Sequence, residues 1–313
     1  MDFIIILLNI IFALFLSVCI HEMAHYIIFK IYKIRVISIG IFFIHVINKK
    51  IIFKLLSPYS FGGYNLIDTS FIISNQAKIG FFKRLMINHI ITVLVSTSIC
   101  ILSCVYLLQG EYSTFLITTA VVNALIVMNA FYSELGDIRL LRSISQNNIA
   151  GYLYMTSSEA LTRFKNKYLY EIVIDYLKTL NVNELSMNQK LCLLGLINYV
   201  IDYSLYHHIC VNDYIESIIN NFKRIKGIGE YIFYKLQLIE VIHGQFKIVD
   251  LINNSELSNG YKDNLDNFIK KLNGGKDTSY LDLKLEKKYG LFRNDVNVIK
   301  LLENIYNDLI KII

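Results

Sequence analysis

Residues 19–26 read Cys-Ile-His-Glu-Met-Ala-His-Tyr, and they close an apolar run that begins at Phe3. On a helix, His21 and His25 are four positions apart, so both imidazoles project from one face and can bind the same metal ion. Glu22 lies beside that face, where its carboxylate can act as general base on a water molecule. Two neutral imidazoles and one further ligand suit zinc, which then keeps an open fourth position.

The alternative is that His21 and His25 only pack within a helix. With seven histidines and 25 acidic residues in 313, chance produces the His-Glu-x-x-His pattern about 0.01 times per chain. The pattern also lies at the end of an apolar run, and ionisable residues in a membrane are costly and usually functional. The sequence therefore favours a metal site.

The composition indicates a membrane protein, because 54% of the residues are hydrophobic and the mean hydropathy is +0.45. Phe3–Ile20 carries no charge over 18 residues, and Leu85–Leu108 and Thr114–Tyr132 are two further apolar runs. The first run could instead be a cleaved signal peptide, but no basic residue precedes it and no small-residue cleavage site precedes His21. We therefore predict transmembrane helices at about 3–29, 85–108 and 114–133.

Charge is distributed unevenly along the chain. Residues 1–149 carry 11 Lys and Arg against 6 Asp and Glu, whereas the remainder carries 20 against 19. Nine of the basic residues lie between Lys30 and Arg84, and the link 109–113 has none. The positive-inside rule then predicts an external N-terminus, a cytoplasmic C-terminal half and a metal site toward the cytoplasmic end of the first helix. We expect an integral protein of a bacterial cell membrane, in contact with the lipid bilayer.

The basic loop contains signals for β-structure. Val36–Val46 and Ile51–Leu56 are rich in β-branched and aromatic residues and are separated by Asn-Lys-Lys at 48–50, which predicts a β-hairpin. After the only proline, Pro58, comes Phe-Gly-Gly-Tyr at 61–64. Its paired glycines permit a sharp bend or a close approach of the backbone to another group.

The inner end of the third helix offers two candidates for a third metal ligand. Glu134 and Asp137 both lie there, and hairpinned helices bring their inner ends to one membrane depth, so the residues alone leave the choice open. Both could instead be interfacial charges beside two arginines. His89, inside the second apolar run, could be a fourth metal neighbour, but we favour a hydrogen-bonded packing role.

These features together resemble the site-2 protease family of intramembrane zinc metalloproteases. In that family the first core helix ends in His-Glu-x-x-His, as at 21–25, and a Gly-Gly-Tyr element follows a membrane-associated β-hairpin. The third core helix carries Asn-x-x-Pro and then Asp-Gly, with the aspartate eight positions after the asparagine, as Asp137 is after Asn129. The resemblance covers about residues 1–145. It implies that Asp137, rather than Glu134, is the third ligand.

The resemblance also implies that Gly62, Gly63, Tyr64 and Asn129 lie next to the substrate. Three positions depart from the family pattern: Tyr132 replaces the proline, Gly136 replaces a leucine and Ile138 replaces the glycine after the aspartate. The Gly-Pro motif of the second helix is not recognisable around Asn88 and His89. These changes leave the metal ligands in place and concern how the third helix unwinds.

Residues 149–313 predict an all-α cytoplasmic domain. Apolar residues recur at helical spacing, and Ser186 with Gln189 forms a candidate capping box. The predicted helices are Leu169–Leu180, Met187–Tyr206, Tyr214–Ile225, Glu230–Ile242 and Val296–Ile313. Balanced charge argues against nucleic acid as a partner. Adjacent His207 and His208 do not share a helix face, so with Cys210 they do not predict a second metal site.

The fold predicted is mainly α, with a three-helix metalloprotease core at 1–148, a small membrane-associated β-hairpin and a helical domain at 149–313. The resemblance implies a zinc endopeptidase that cleaves a membrane-spanning or membrane-bound peptide or protein near the cytoplasmic face, with Glu22 as general base. One alternative is a catalytically inactive scaffold or chaperone of the same fold that acts through its C-terminal domain. Another is a metal carrier. A protein regulator or self-association through residues 149–313 is compatible with each.

Overall fold

The structure is a computed structural model that describes residues 2–47, 50–53, 63–133, 136–162, 164–207, 209–211 and 213–222, with a few single positions between 232 and 239. The chain divides into two compact units, Met1–Ser158 and Glu159–Ile313. The first unit holds three long apolar helices and a small antiparallel sheet, and the second is helical in its described part. The division lies about ten residues after the predicted one.

Three helices of the first unit are long and apolar enough to cross a membrane: α1 (Asp2–Ile31), α2 (Asn75–Leu108) and α3 (Thr114–Tyr132). Their outward faces carry large apolar side chains, among which Leu8, Leu94 and Leu125 are more than half exposed. Apolar surface on this scale is typical of helices that face lipid. The three predicted helices are therefore present, and α1 and α3 have nearly the predicted bounds.

Helix α2 begins ten residues before its predicted start at 85. Ser74 caps it, because its hydroxyl accepts a hydrogen bond from the amide of Ala77. The prediction began after Lys83 and Arg84, where the apolar run starts, but charged side chains do not interrupt the backbone hydrogen bonds of a helix. With 34 residues, α2 is about 51 Å long, which exceeds the roughly 30 Å of a bilayer's hydrocarbon core.

The sheet has four strands rather than the two of the predicted hairpin. They are β1 (Val36–Ile41), β2 (Ile44–Ile47), β3 (Lys50–Phe53) and β4 (Gly63–Ile67), in the order β3-β2-β1-β4. The predicted first strand folds back on itself at Phe42, which has a φ of 51° and stacks on Phe15 of α1 at 5.9 Å. Among the described residues, strand β4 lies at the edge of the sheet, where it pairs with β1 and packs against α1.

Two short helices that the sequence did not predict complete the first unit: α4 (Asp137–Ser145) and α5 (Ile149–Thr156). Gly136 immediately precedes α4 and is buried against the last turn of α3. A Cβ atom at this position would lie 2.1 Å from the carbonyl oxygen of Asn129. A glycine is thus required at position 136 by the close approach of two helices.

The described part of the second unit contains α6 (Lys167–Lys178), α7 (Met187–His207) and α8 (Asp213–Phe222), which lie within a few residues of three predicted helices. The predicted capping box is confirmed, because Ser186 and Gln189 each accept a hydrogen bond from the other's amide, at 3.3 and 3.0 Å. The predicted helix at 230–242 lies mostly outside the described residues, and the one at 296–313 lies entirely outside them.

Candidate metal centre

Three side chains from α1 and from the start of α4 converge in the first unit. His21 and His25 come from α1 and Asp137 is the first residue of α4, and their ligand atoms lie within 4.8 Å of one another. His21 Nε2 lies 3.2 Å from Asp137 Oδ2, and His25 Nε2 lies 3.4 Å from Asp137 Oδ1. Two atoms that each bind a tetrahedral zinc ion at 2.0–2.1 Å are about 3.3 Å apart. This spacing fits a shared cation.

Helix α2 fixes the two histidines through their other ring nitrogens. His21 Nδ1 lies 3.0 Å from the hydroxyl of Ser96. The side-chain oxygen of Asn88 accepts a hydrogen bond from His25 Nδ1, and its amide group donates to the carbonyl oxygen of His25 at 2.9 Å. Thr92 Oγ1 lies 3.2 Å from the same Nδ1. With both Nδ1 atoms engaged, both Nε2 atoms are left to face Asp137, as in histidines that bind metal through Nε2.

The family resemblance implied Asp137 as the third ligand, and the structure brings this carboxylate to the two histidines. The group His21, His25 and Asp137 could hold a metal ion. The rival candidate, Glu134, lies outside the described residues.

His89 of α2 forms a hydrogen bond to this group. Its Nδ1 lies 2.6 Å from Asp137 Oδ1, a hydrogen-bond distance that is too short for two ligands of one tetrahedral cation. The ring is buried and packs edge-on against His25, with centroids 5.0 Å apart. Sequence analysis considered His89 as a fourth metal neighbour or as a hydrogen-bonded packing residue. The observed hydrogen bond fits the second role, and its acceptor is Asp137, itself a candidate metal ligand.

Glu22 is buried beside the histidines and is held by strand β4. The side-chain amide of Asn65 donates to Glu22 Oε2 at 2.6 Å and to the Glu22 carbonyl oxygen at 3.3 Å. A Cβ atom at Gly63 would lie 2.1 Å from Glu22 Cγ, so only glycine lets the strand come this close. The close backbone approach expected of the glycine pair therefore occurs at Gly63, whereas Gly62 lies outside the described residues.

Sequence analysis missed Asn65. Its one local signal is its position two residues after Gly63, because alternate residues of a strand face the same side. Tyr64 faces the other side, where its hydroxyl lies 2.9 Å from His45 Nδ1 and its ring covers Gly40. Asn129 has an exposed side chain on α3. A substrate-binding role for Tyr64 and Asn129 stays a prediction.

Tyr154 of α5 adds a phenol near this group. Its ring centroid lies 6.4 Å from that of His89. Burial raises the pKa of Tyr154, and the negative charges of Asp137 and Glu22 raise it further. The hydroxyl therefore stays protonated at neutral pH and is available as a hydrogen-bond donor.

The two carboxylates of this site face histidines rather than lysine or arginine among the described residues. In the part of the chain that the structure describes, no lysine or arginine forms an ion pair with Glu22 or Asp137, and histidines are their ionisable neighbours. Buried carboxylates are stable only when they are paired with a positive charge or bound to a metal. The three ligand candidates could hold a metal ion, and the Glu22 carboxylate lies beside them.

Comparison of the chain with protein-family models, with curated proteins and with solved structures gives no match.

Proposed function

We propose that this protein is a membrane-embedded zinc endopeptidase. The proposal is carried by one observation: two imidazoles and a carboxylate converge at ligand spacing, and the buried carboxylate of Glu22 lies at the next position along α1 from His21. A zinc ion held there would supply Lewis acidity, which polarises a peptide carbonyl and lowers the pKa of a water molecule to about 7. His21, His25 and Asp137 would hold it.

Glu22 is the residue that moves the proton. Asn65 occupies its Oε2 atom, and Gly63 places no side chain against Oε1, so Oε1 is the oxygen left for water. Glu22 accepts a proton from the attacking water and passes it to the leaving amine. Asn65 keeps the carboxylate in one orientation for both transfers.

The sheet supports a peptide as substrate. A membrane-spanning helix has its amides bonded internally, so its peptide bonds are shielded until the helix unwinds. Strand β4 is an edge strand that lies directly against Glu22, and an extended peptide can pair with such an edge. A membrane-spanning or membrane-bound peptide or protein would in this way be brought to the general base.

Orientation in the membrane is part of the proposal. The basic residues between Lys30 and Arg84 support a cytoplasmic position for the inner end of α1, and with it for cleavage and for the C-terminal half of the chain. A reporter fused after Ile313 should then be protected from external labelling in intact cells. Labelling from outside would overturn this orientation.

The proposal is tested by metal content and by a base variant measured together. We expect elemental analysis of detergent-purified protein to give about one zinc per chain in wild type and in Glu22→Gln, and none in His21→Ala. Membranes from cells that express wild type should contain new peptide termini that are missing with Glu22→Gln, because a general base contributes roughly 10²–10⁴-fold to the rate.

The same experiment separates the alternatives. Zinc without any cleavage in wild type would favour the inactive scaffold, whereas cleavage that persists in full in Glu22→Gln would overturn the role of Glu22 as general base. Absence of zinc from wild type after metal supplementation would overturn the metal centre itself. Zinc flux across vesicles that contain the protein would favour a metal carrier.

A further inference from the structure

We propose that His89 is a positioning residue that holds the Asp137 carboxylate in place for metal binding, and that one polar stripe of α2 positions all three ligands. This inference rests on the metal centre of the proposed function and identifies what sets its affinity. Nothing in the family resemblance assigns a role to His89.

The contact itself has a defined direction. An ionised carboxylate can only accept, so Nδ1 of His89 carries the proton and donates to Asp137 Oδ1 across 2.6 Å. Asp137 is the first residue of α4, and the residue before it, Gly136, offers no side chain to cap the helix. The hydrogen bond from His89 therefore restrains the carboxylate, and ties the start of α4 to α2.

The partners of the other two ligands lie on the same helix. Ser96 contacts His21, while Asn88 and Thr92 contact His25. Residues 88, 92 and 96 follow one another at intervals of four and share a face of α2, and His89 is adjacent to the first of them. Outer hydrogen-bond partners of this kind orient metal ligands and fix their tautomers.

The other ring nitrogen of His89 argues against a role in packing alone. Nε2 is buried and has no hydrogen-bond partner among the described residues. A buried polar atom without a partner costs free energy, which a phenyl ring of nearly the same shape would avoid. The imidazole is therefore retained for the proton on Nδ1.

Three variants separate hydrogen bonding from packing. His89→Asn places an N–H donor at nearly the position of Nδ1, whereas His89→Gln carries the same amide group one methylene further out, at the position of Nε2. His89→Phe keeps an aromatic ring, slightly larger than imidazole, and removes both nitrogens. The affinity of the purified full-length protein for zinc is measured by competition with a chelator, so the readout does not depend on cleavage.

We expect His89→Phe and His89→Gln to bind zinc about 10–100-fold more weakly than wild type, and His89→Asn to recover most of that loss. A packing role predicts the opposite order, in which His89→Phe retains wild-type affinity and His89→Asn loses it, and that result would overturn the inference. Equal affinity in all four proteins would also overturn it.

Failure of the inference and failure of the proposed function give different results. If wild type binds zinc and the three variants match it, the metal centre stands and His89 has no positioning role. If wild type binds no zinc, the metal centre is wrong and this inference is wrong with it. The asparagine and glutamine variants carry the same functional group, so a general loss of folding would affect both alike.

Discussion

Buried carboxylates occur in both units of the chain, and their neighbours differ. In the second unit, Lys235 Nζ lies 2.6 Å from Asp202 Oδ1, and the amide of Asn198 donates to Asp202 Oδ2 at 3.0 Å. In the first unit, Glu22 and Asp137 face histidines, with no lysine or arginine paired to them among the described residues. A buried carboxylate that is paired with a lysine of the same chain needs no bound cation to stabilise it. A buried carboxylate that faces histidines and no lysine or arginine is therefore the better candidate for a functional site.

The largest effect should come from Asp137→Asn, which removes the charged member of the first cluster, formed by His21, His25 and Asp137 with Glu22 beside them. We expect zinc affinity to fall more than about 100-fold, because loss of a residue that only supports a ligand already costs roughly 10–100-fold. Chelator competition measures the change, and Glu134→Gln is the matched control. Equal losses in the two variants, or a larger loss in Glu134→Gln, would mean that the wrong acid has been assigned.

Lys235→Met tests the second cluster, formed by Asn198, Asp202 and Lys235, because the variant leaves Asp202 buried without its cation. We expect the free energy of unfolding of this unit to fall by about 3–5 kcal/mol, and the double variant Asp202→Leu/Lys235→Met to recover most of the loss. Chemical denaturation measures both. Zinc content should not change. If Lys235→Met is harmless, Asp202 is not neutralised by Lys235 and the contrast between the two clusters disappears.

Zinc removal should destabilise only the protein that has an intact first cluster. At free zinc 100 times the dissociation constant, binding stabilises the folded state by about 2.7 kcal/mol. Thermal unfolding with zinc and with chelator should therefore differ in wild type and in Asp202→Leu/Lys235→Met, but not in His21→Ala. A zinc-dependent shift that survives in His21→Ala would place the metal elsewhere.

The smallest effect concerns the orientation of the base. Asn65→Leu has a similar volume but cannot donate to Glu22 Oε2, so we expect kcat to fall about tenfold with little change in KM, because a group that acts only through the base affects the chemical step. Zinc content checks that the centre is intact. A rise in KM with kcat unchanged would instead assign Asn65 to substrate binding.

Short-range patterns made the core of this site predictable. The spacing of His21 and His25 and the position of Glu22 follow from helix geometry alone, and uninterrupted apolar runs gave the bounds of α1 and α3. Asn65 and His89 were not recognised as partners of Glu22 and Asp137, because these contacts join residues 43 and 48 positions apart and leave no local pattern.

The sheet and the second helix show two other limits of prediction. The turn at Phe42 has a positive φ without the glycine or asparagine that usually marks one, so the run Val36–Val46 looked like a single strand. The start of α2 depends on the cap at Ser74, whereas the prediction relied on hydropathy, which changes only after Arg84. Hydropathy locates membrane spans better than it locates helix ends.

The position of Asp137 in the chain has a consequence for biosynthesis. His21, Asn65 and His89 are all synthesised before Asp137, which follows the third apolar helix. A nascent chain that ends after the second apolar helix therefore carries Glu22 and both histidines but lacks Asp137. If the proposed function is correct, such a chain would not yet cleave its own incompletely assembled helices or neighbouring membrane proteins. One late aspartate would thus delay hydrolysis until the three-helix unit is assembled.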